Sequence, residues 1–241
     1  MVQKYKRILL KLSGEALAGG QGYGIDHEVI SLICASIKDV HAKGVQVGIV
    51  IGGGNIFRGI SGKKIVDRVS ADYMGMMATV INALAIQGAF KSLDIQSRVL
   101  SALEIKGVVE PFAVSQAIKH LDEGKIVIFA GGTGNPFFTT DTAAALRALE
   151  IEADVLIKCT KVDGIYDKDP VAFPDAKYFR ELTYDQVLAK DLKVMDATAI
   201  SLCREGNLKI RVLSIKDPGN FKKAIEDESI GSVVRRKSHG K

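Results

Sequence analysis

Gly131, Gly132 and Gly134, followed by Thr139, Thr140 and Asp141, are residue types that bind an anion when a strand delivers them to the start of a helix. They stand in the stretch GGTGNPFFTTDTAAALRAL (131–149), directly behind the apolar run IVIFA (126–130). The glycines permit positive φ and close approach of backbone to a ligand, Thr139 or Thr140 supplies a helix cap, and the Ala-rich body that follows has strong helix propensity. Free amides at such a helix start favour a phosphate. An ordinary tight strand-to-helix connection accounts for the glycines and the cap. It leaves Pro136, Phe137 and Phe138 unexplained, because two large apolar side chains in a polar turn need something to cover.

Other common nucleotide motifs fail on inspection. The phosphate-loop pattern G-x-x-x-x-G-K-[ST] does not occur, since the candidate at Gly62 and Lys63 lacks both the upstream glycine and the hydroxyl. Gly52, Gly53 and Gly54 fail G-x-G-x-x-G because Phe57 stands where the last glycine is required. There is no H-R-D or D-F-G pair of a protein kinase. Zinc chemistry has no footing either: His27, His41, His120 and His239 lie far apart, and neither C-x-x-C nor H-E-x-x-H is present.

These residues need a scaffold, and the chain supplies one. Apolar strand runs at 7–13, 45–51, 95–101, 125–130, 154–160, 208–214 and 232–235 alternate with helical patterns at 27–43, 72–93, 111–121, 140–151, 184–190, 197–204 and 219–226. This predicts an α/β fold, a mainly parallel sheet between two helical layers, with ligands gathered at the carboxyl ends of the strands. Ser13-Gly14, Gly52-Gly53-Gly54, Gly131-Gly132-Thr133-Gly134 and Lys161-Val162-Asp163-Gly164 all follow strands and so converge on one edge, a site for something large and phosphorylated. The helix beginning near Asp72 is apolar almost all round, as expected of a core or subunit-seam helix.

With 241 residues, 47% of them apolar, one domain spanning 1–241 is the expectation. Lys4, Lys6 and Arg7 before Ile8, Leu9 and Leu10 faintly resemble an export signal, but Lys11 ends the apolar run too early. No apolar stretch approaches the roughly 18 residues of a membrane span. Cys34, Cys159 and Cys203 have no paired spacing, which points to the cytoplasm. The net charge of +5 comes from scattered basic residues, with one cluster at Arg235, Arg236 and Lys237 read as a solvated tail. That field suits small anionic substrates and gives no reason to expect nucleic acid.

The chain resembles the amino-acid kinase superfamily, and within it the bacterial UMP kinases, over nearly its whole length. KLSGE (11–15), the GGG turn (52–54) and KVDGIYDKDP (161–170) resemble the superfamily at large, whereas GGGNIFRG (52–59), SADYMGMMATVINALA (70–85) and TGNPFFTTDTAA (133–144) resemble UMP kinases in particular. The resemblance implies transfer of a phosphoryl group from ATP to UMP with magnesium. It implies that Lys11, Leu12, Ser13, Gly14, Gly54, Arg58, Thr160, Tyr166 and Asp169 meet ATP. UMP would meet Gly53, Arg58, Asp72, Thr133, Gly134, Asn135, Pro136, Phe137, Phe138, Thr139 and Thr140. It further implies a homohexamer activated by GTP and inhibited by UTP, with Gly19, Gly20, Gln21, Gly22, Tyr23 and Gly24 in the effector response.

The chemistry of the side chains agrees with those roles. Arg58 offers a planar fork for phosphate oxygens, and Asp72 would repel phosphate but accept bonds from ribose hydroxyls. Transfer between phosphates is mostly a matter of placing and neutralising negative charge, which makes Lys11 the leading catalytic candidate. Asp141 and Lys161 are the other two. A carboxylate at a helix start suits the dipole yet repels an anionic substrate, a conflict eased if Asp141 faces Lys11, Lys161 or a hydrated magnesium ion. Two other readings remain open: a kinase acting on a carboxylate acceptor, and a nucleotide or oxyanion-binding sensor without turnover.

Overall fold

The computed structural model describes residues 4–58, 66–214, 223, 225 and 227–237. Strands are β1 (Arg7–Leu12), β2 (Gln46–Ile51), β3 (Ser97–Ser101), β4 (Glu110–Pro111), β5 (Ile126–Ala130), β6 (Val155–Thr160), β7 (Ile165–Tyr166), β8 (Tyr178–Phe179), β9 (Glu181–Leu182), β10 (Lys209–Ser214) and β11 (Ser232–Val234). Helices are α1 (Gly14–Leu17), α2 (His27–His41), α3 (Arg68–Ser92), α4 (Val114–Asp122), α5 (Thr140–Glu150), α6 (Tyr184–Ala189) and α7 (Ala197–Glu205). Among the described residues, nine strands form one sheet in the order β4-β3-β5-β2-β1-β6-β10-β11-β9. Its first seven strands run parallel, and β11 is antiparallel to β10 and parallel to β9. β7 and β8 make a separate antiparallel pair.

Period-2 alternation sorts each strand between two cores. Ile8, Leu10 and Leu12 of β1 pack with Ile33, Cys34 and Ile37 of α2 and Val80, Ala83 and Phe90 of α3. Leu9 points the other way, with Leu156, the alanines of α5, and Ala199, Ile200 and Cys203 of α7. The alanines are what allow α5 to lie close over the central strands, because they add little bulk between helix and sheet.

Several boundaries differ from the periodicity. α3 begins four residues before Asp72, because Asp67 caps it through the Ser70 N–H at 3.0 Å. Pro111 belongs to strand β4 and α4 starts at Val114, in keeping with the missing donor of proline, which an edge strand tolerates. The expected helix at 219–226 lies outside the described residues apart from Lys223 and Ile225. α3 is, by length and composition, long and apolar enough to cross a membrane, contrary to the reading of the sequence, but it lies against the sheet with Ala83, Ile86 and Phe90 buried. In the basic cluster Arg236 and Lys237 are exposed, and Arg235, 41% exposed, also forms an ion pair, its guanidinium meeting Glu181 at 2.7 and 2.8 Å.

Candidate active site

The centre of the site follows from strand register. β1 and β6 are parallel neighbours in which Lys11 pairs with Lys158, and both lysines lie on the same face as Leu9 and Leu156, toward α5. Two adjacent like charges on one face are unfavourable unless an anion joins them. Asp141 is that anion. The Thr139 side chain caps α5, accepting from the N–H groups of Asp141 at 3.0 Å and Thr142 at 3.3 Å, so Asp141 falls in the first turn directly above the lysines. Its Oδ1 lies 2.8 Å from Lys11 Nζ and its Oδ2 2.8 Å from Lys158 Nζ. Burial works against ionisation of Asp141, but Lys11 and Lys158 outweigh it and hold the carboxyl below the usual carboxylate range. Burial lowers the pKa of Lys158, Asp141 opposes that and Lys11 adds to it, leaving the ammonium more acidic than an ordinary lysine. The trio carries a net +1 at the carboxyl end of the central strands.

Asp196, which the sequence reading passed over, fastens the frame around this trio. Its carboxylate caps α7 through the Ala199 N–H at 2.9 Å, and it accepts the hydroxyls of Thr139 and of Thr142, the latter at 2.9 and 3.0 Å. Lys158 Nζ also donates to the Val194 carbonyl. The starts of α5 and α7 are thereby tied together on one side of the lysines.

Two open cavities flank the trio. The smaller is lined by Gly53, Gly54, Asp72, Thr133, Asn135, Phe138, Thr139 and Thr140 among others. The larger has Lys158, Thr160, Gly164, Tyr166 and Asp169 in its wall. Thr140 borders the first cavity, its neighbour Asp141 holds Lys158, and Lys158 borders the second.

In the loop beside the first cavity, Gly131, Gly132 and Gly134 have φ of 73°, 59° and 80°, the left-handed region open to glycine at little cost. Gly53 is needed for a different reason, since a Cβ there would sit 2.7 Å from the Gly75 carbonyl of α3. Burial opposes ionisation of Asp72, but the Phe137 N–H and Arg68 outweigh it and keep the carboxyl low. Phe138 is half exposed on the cavity wall and Phe137 points further into solvent. Thr133 Oγ1 accepts the Asn135 N–H at 3.2 Å and so shapes the turn before Pro136.

Other expected site residues fall elsewhere. Lys161 does not approach Asp141: it is 63% exposed and pairs at 3.4 Å with Glu15, and Lys158 holds the position expected of it. Leu12 buries its side chain in the α2–α3 core and offers only backbone, its carbonyl accepting the Gly52 N–H at 3.0 Å. A Cβ on Gly14 would lie 2.5 Å from the Gly52 carbonyl, so this glycine serves the contact between the two loops, and the Ser13 side chain makes no capping bond to α1. Arg58 projects outward, its Nε on the Gly54 carbonyl at 3.1 Å and its Nη2 3.3 Å from Glu15. Around the second cavity, Thr160 Oγ1 donates to the Val162 carbonyl, the Tyr166 hydroxyl to Asp163, and Asp169 accepts the Val171 N–H.

Gly19, Gly20 and Gln21 form a 3-10 turn, and Gly22, exposed Tyr23 and Gly24 follow it. Gly24 exchanges hydrogen bonds with Asn55, N–H to carbonyl at 2.9 Å and Nδ2 to the Gly24 carbonyl at 2.7 Å. Asn55 in turn pairs, fully buried, with Asn82 of α3 at 2.7 and 3.0 Å, and Asn82 Nδ2 donates to the Gly52 carbonyl at 2.7 Å. The loop, the glycine turn and α3 therefore share one amide network.

A parallel sheet whose strand ends carry a cation–carboxylate–cation trio between two cavities offers net positive charge to anionic ligands. A model of the amino acid kinase family matches residues 6–214, and the chain belongs to that family. Among solved structures it is similar to the UMP kinase from Bacillus anthracis, with 38% identity over 96% of both chains and a TM-score of 0.92. It is also similar to the UMP kinase from Ureaplasma parvum, with 37% identity, 97% and 100% of the two chains covered and a TM-score of 0.89. A uridylate kinase from Archaeoglobus fulgidus is more distant, at 27% identity, 94% and 99% coverage and a TM-score of 0.70. Within its family the chain thus stands with the UMP kinases.

Proposed function

We infer that this chain is a nucleoside monophosphate kinase that transfers the γ-phosphoryl group of ATP to UMP, giving ADP and UDP, in pyrimidine nucleotide synthesis. The observation that carries the assignment of parts is the Lys11–Asp141–Lys158 trio at the seam of the two cavities. UMP occupies the smaller cavity, its phosphate toward Gly53 and Gly54 and its ribose toward Asp72, with Phe138 walling the base. ATP occupies the larger one, past Thr160, Tyr166 and Asp169, and presents its γ-phosphate to Lys11 and Lys158.

The chemistry asks little beyond that placement. A phosphate monoester with a second pKa near 6 is already mostly a dianion at neutral pH, so no base is needed to activate it. The barrier is charge: an attacking oxygen and a leaving oxygen, both anionic, must share one phosphorus in line. Lys11 and Lys158 neutralise charge on the transferring group, and Asp141, bound to both, fixes their spacing before either substrate arrives. Among the described residues no cluster of three metal-ligating side chains exists, and both oxygens of Asp141 are taken by lysines. This fits magnesium that enters on the phosphates of ATP as part of the substrate. When bound, that ion supplies further neutralisation of the phosphates.

The finer properties belong to the same reading. GTP activates and UTP inhibits, and the amide network from Gly24 through Asn55 to Gly52 supports a path from the 19–24 loop to the glycine turn. The copies assemble as a hexamer, and the three free, buried cysteines suit the cytoplasm. A coupled assay of ADP release across UMP, CMP, dTMP and small carboxylates tests the assignment. UMP should be turned over at least tenfold faster than the rest. Turnover of a carboxylate would establish the acyl-phosphate alternative, and nucleotide binding without ADP release would establish the sensor.

A further inference from the structure

The first turn of α3 and the 131–139 loop meet at the mouth of the smaller cavity through three side chains. Arg68 Nε lies 2.9 and 2.8 Å from the two carboxylate oxygens of Asp72. The Phe137 N–H donates to Asp72 Oδ2 at 2.8 Å, and the Arg68 guanidinium stands 5.5 Å from the centre of the Phe137 ring. Phe137 has a φ of 71°, a conformation that residues with large side chains rarely adopt. Its ring is 66% exposed, so burial does not hold it there. What holds it is the bond to Asp72 and the cation over its face. Asp72 and the next residue, Phe138, both line the cavity, and the shape of that wall follows from whether the three stay fastened.

We propose that Arg68 is a positioning residue for the acceptor nucleotide: it orients the Asp72 carboxylate across the cavity mouth and, through Asp72 and the Phe137 ring, clamps the loop that covers the acceptor. This rests on the reading of the smaller cavity as the UMP site. Without Arg68 the Asp72 carboxylate keeps the Phe137 N–H as its one hydrogen bond here, and its rotation then loosens the loop as well. Contact between the ribose and Asp72 depends on that orientation, which makes the loss one of affinity for the acceptor. Arg68 is 63% exposed, so its removal leaves the core untouched, and solvent screening keeps the effect modest.

The test compares wild type, Arg68→Ala and Arg68→Lys as full-length protein. Arg68→Ala should raise KM for UMP about threefold to tenfold, the loss expected of one partly screened charged contact. KM for ATP and the melting temperature should stay at wild-type values, and Arg68→Lys should recover part of the loss. Hydrogen exchange across residues 133–139 should speed up in Arg68→Ala without any ligand. An unchanged KM for UMP together with unchanged exchange overturns the proposal, as does an equal rise in KM for both nucleotides. Calorimetry of wild type with UMP alone separates the two layers. If UMP does not bind, the acceptor reading fails, while the exchange comparison still decides whether Arg68 clamps the loop.

Discussion

Lys158 lies in a strand that is otherwise apolar, VLIKCT, and nothing on either side of it marks it as different from a lysine at a strand edge. Its role comes from the register that sets it beside Lys11 and from the helix that lowers Asp141 between them. Lys158→Met should therefore cut kcat by about two orders of magnitude, the range for losing a central electrostatic donor, with a smaller change in KM. Lys161→Ala, at an exposed ion pair, should change kcat by less than about threefold. Asp141→Asn is a different case, because it strands two buried ammonium groups side by side. It should lose activity and also lower stability by about 3 kcal/mol, measured by urea unfolding. The lysine also sets a pH limit. Its pKa is lowered, so its proton, and with it the activity, is lost as pH rises through a value below that of an ordinary lysine. The alkaline limb of the kcat profile should thus fall early, and Lys158→Arg should shift that limb upward even at a lower plateau.

The starts of helices α5 and α7 are the elements on which the trio depends, and one carboxylate ties them. Asp196 accepts from Thr139 and Thr142 of α5 while capping α7. Replacing it with asparagine keeps the α7 cap but weakens the bonds to both hydroxyls, whereas alanine removes the cap as well. A cap is worth about 1 kcal/mol, so Asp196→Ala should cost at least that in unfolding free energy and Asp196→Asn less. Both should lower kcat, because Asp141 sits one turn from the loosened junction. A variant with normal kcat and only reduced stability would limit Asp196 to a structural role. Thr139 and Thr140 were both legible as caps in the sequence, and Thr139 is the one used. Asp196 was not singled out from the sequence, and its partners on α5, 54 and 57 residues away, had no local signature.

Two features belong to the molecule as a whole. Along α3, Val69, Tyr73, Met74, Met77 and Ile81 are each 40 to 48% exposed, a stripe of large apolar side chains that suits a symmetric seam between copies. Light scattering at micromolar concentration should give an assembly, and a charge placed by Met77→Glu should shift it toward smaller species. A monomer mass with full activity in the wild type would remove the seam. At the far end of the sheet, Glu228 gathers Lys4 at 3.1 Å, Lys209 at 2.7 Å and the Tyr5 hydroxyl at 2.6 Å. Burial works against its ionisation, but Lys209, Tyr5 and Lys4 outweigh it and hold its pKa at about 2. A carboxyl depressed in the fold adds stability above its unfolded pKa of about 4.3, and that contribution disappears as pH falls toward about 2. Glu228→Gln should therefore be less stable than wild type at pH 7, with the gap in melting temperature narrowing as the pH is lowered below about 4.

Alternating strand and helix patterns, glycines after strand ends and a capped helix at 140 were all local properties, set by side-chain periodicity and backbone freedom, and so the α/β class and most element positions could be read without coordinates. The mixture of glycine loops on one strand edge was legible for the same reason, since every parallel strand ends on the same side. Which charges meet was not. Lys158 rather than Lys161 faces Asp141, Arg68 pairs with Asp72, and Arg235 finds Glu181. Each of these pairings depends on strand register, helix rotation or chain crossings over tens of residues, and a one-residue change of register would have turned Lys11 and Lys158 to the opposite face of the sheet. Composition and spacing supply the groups that a phosphoryl transfer needs; only the packed sheet and its helices decide which of them share a site.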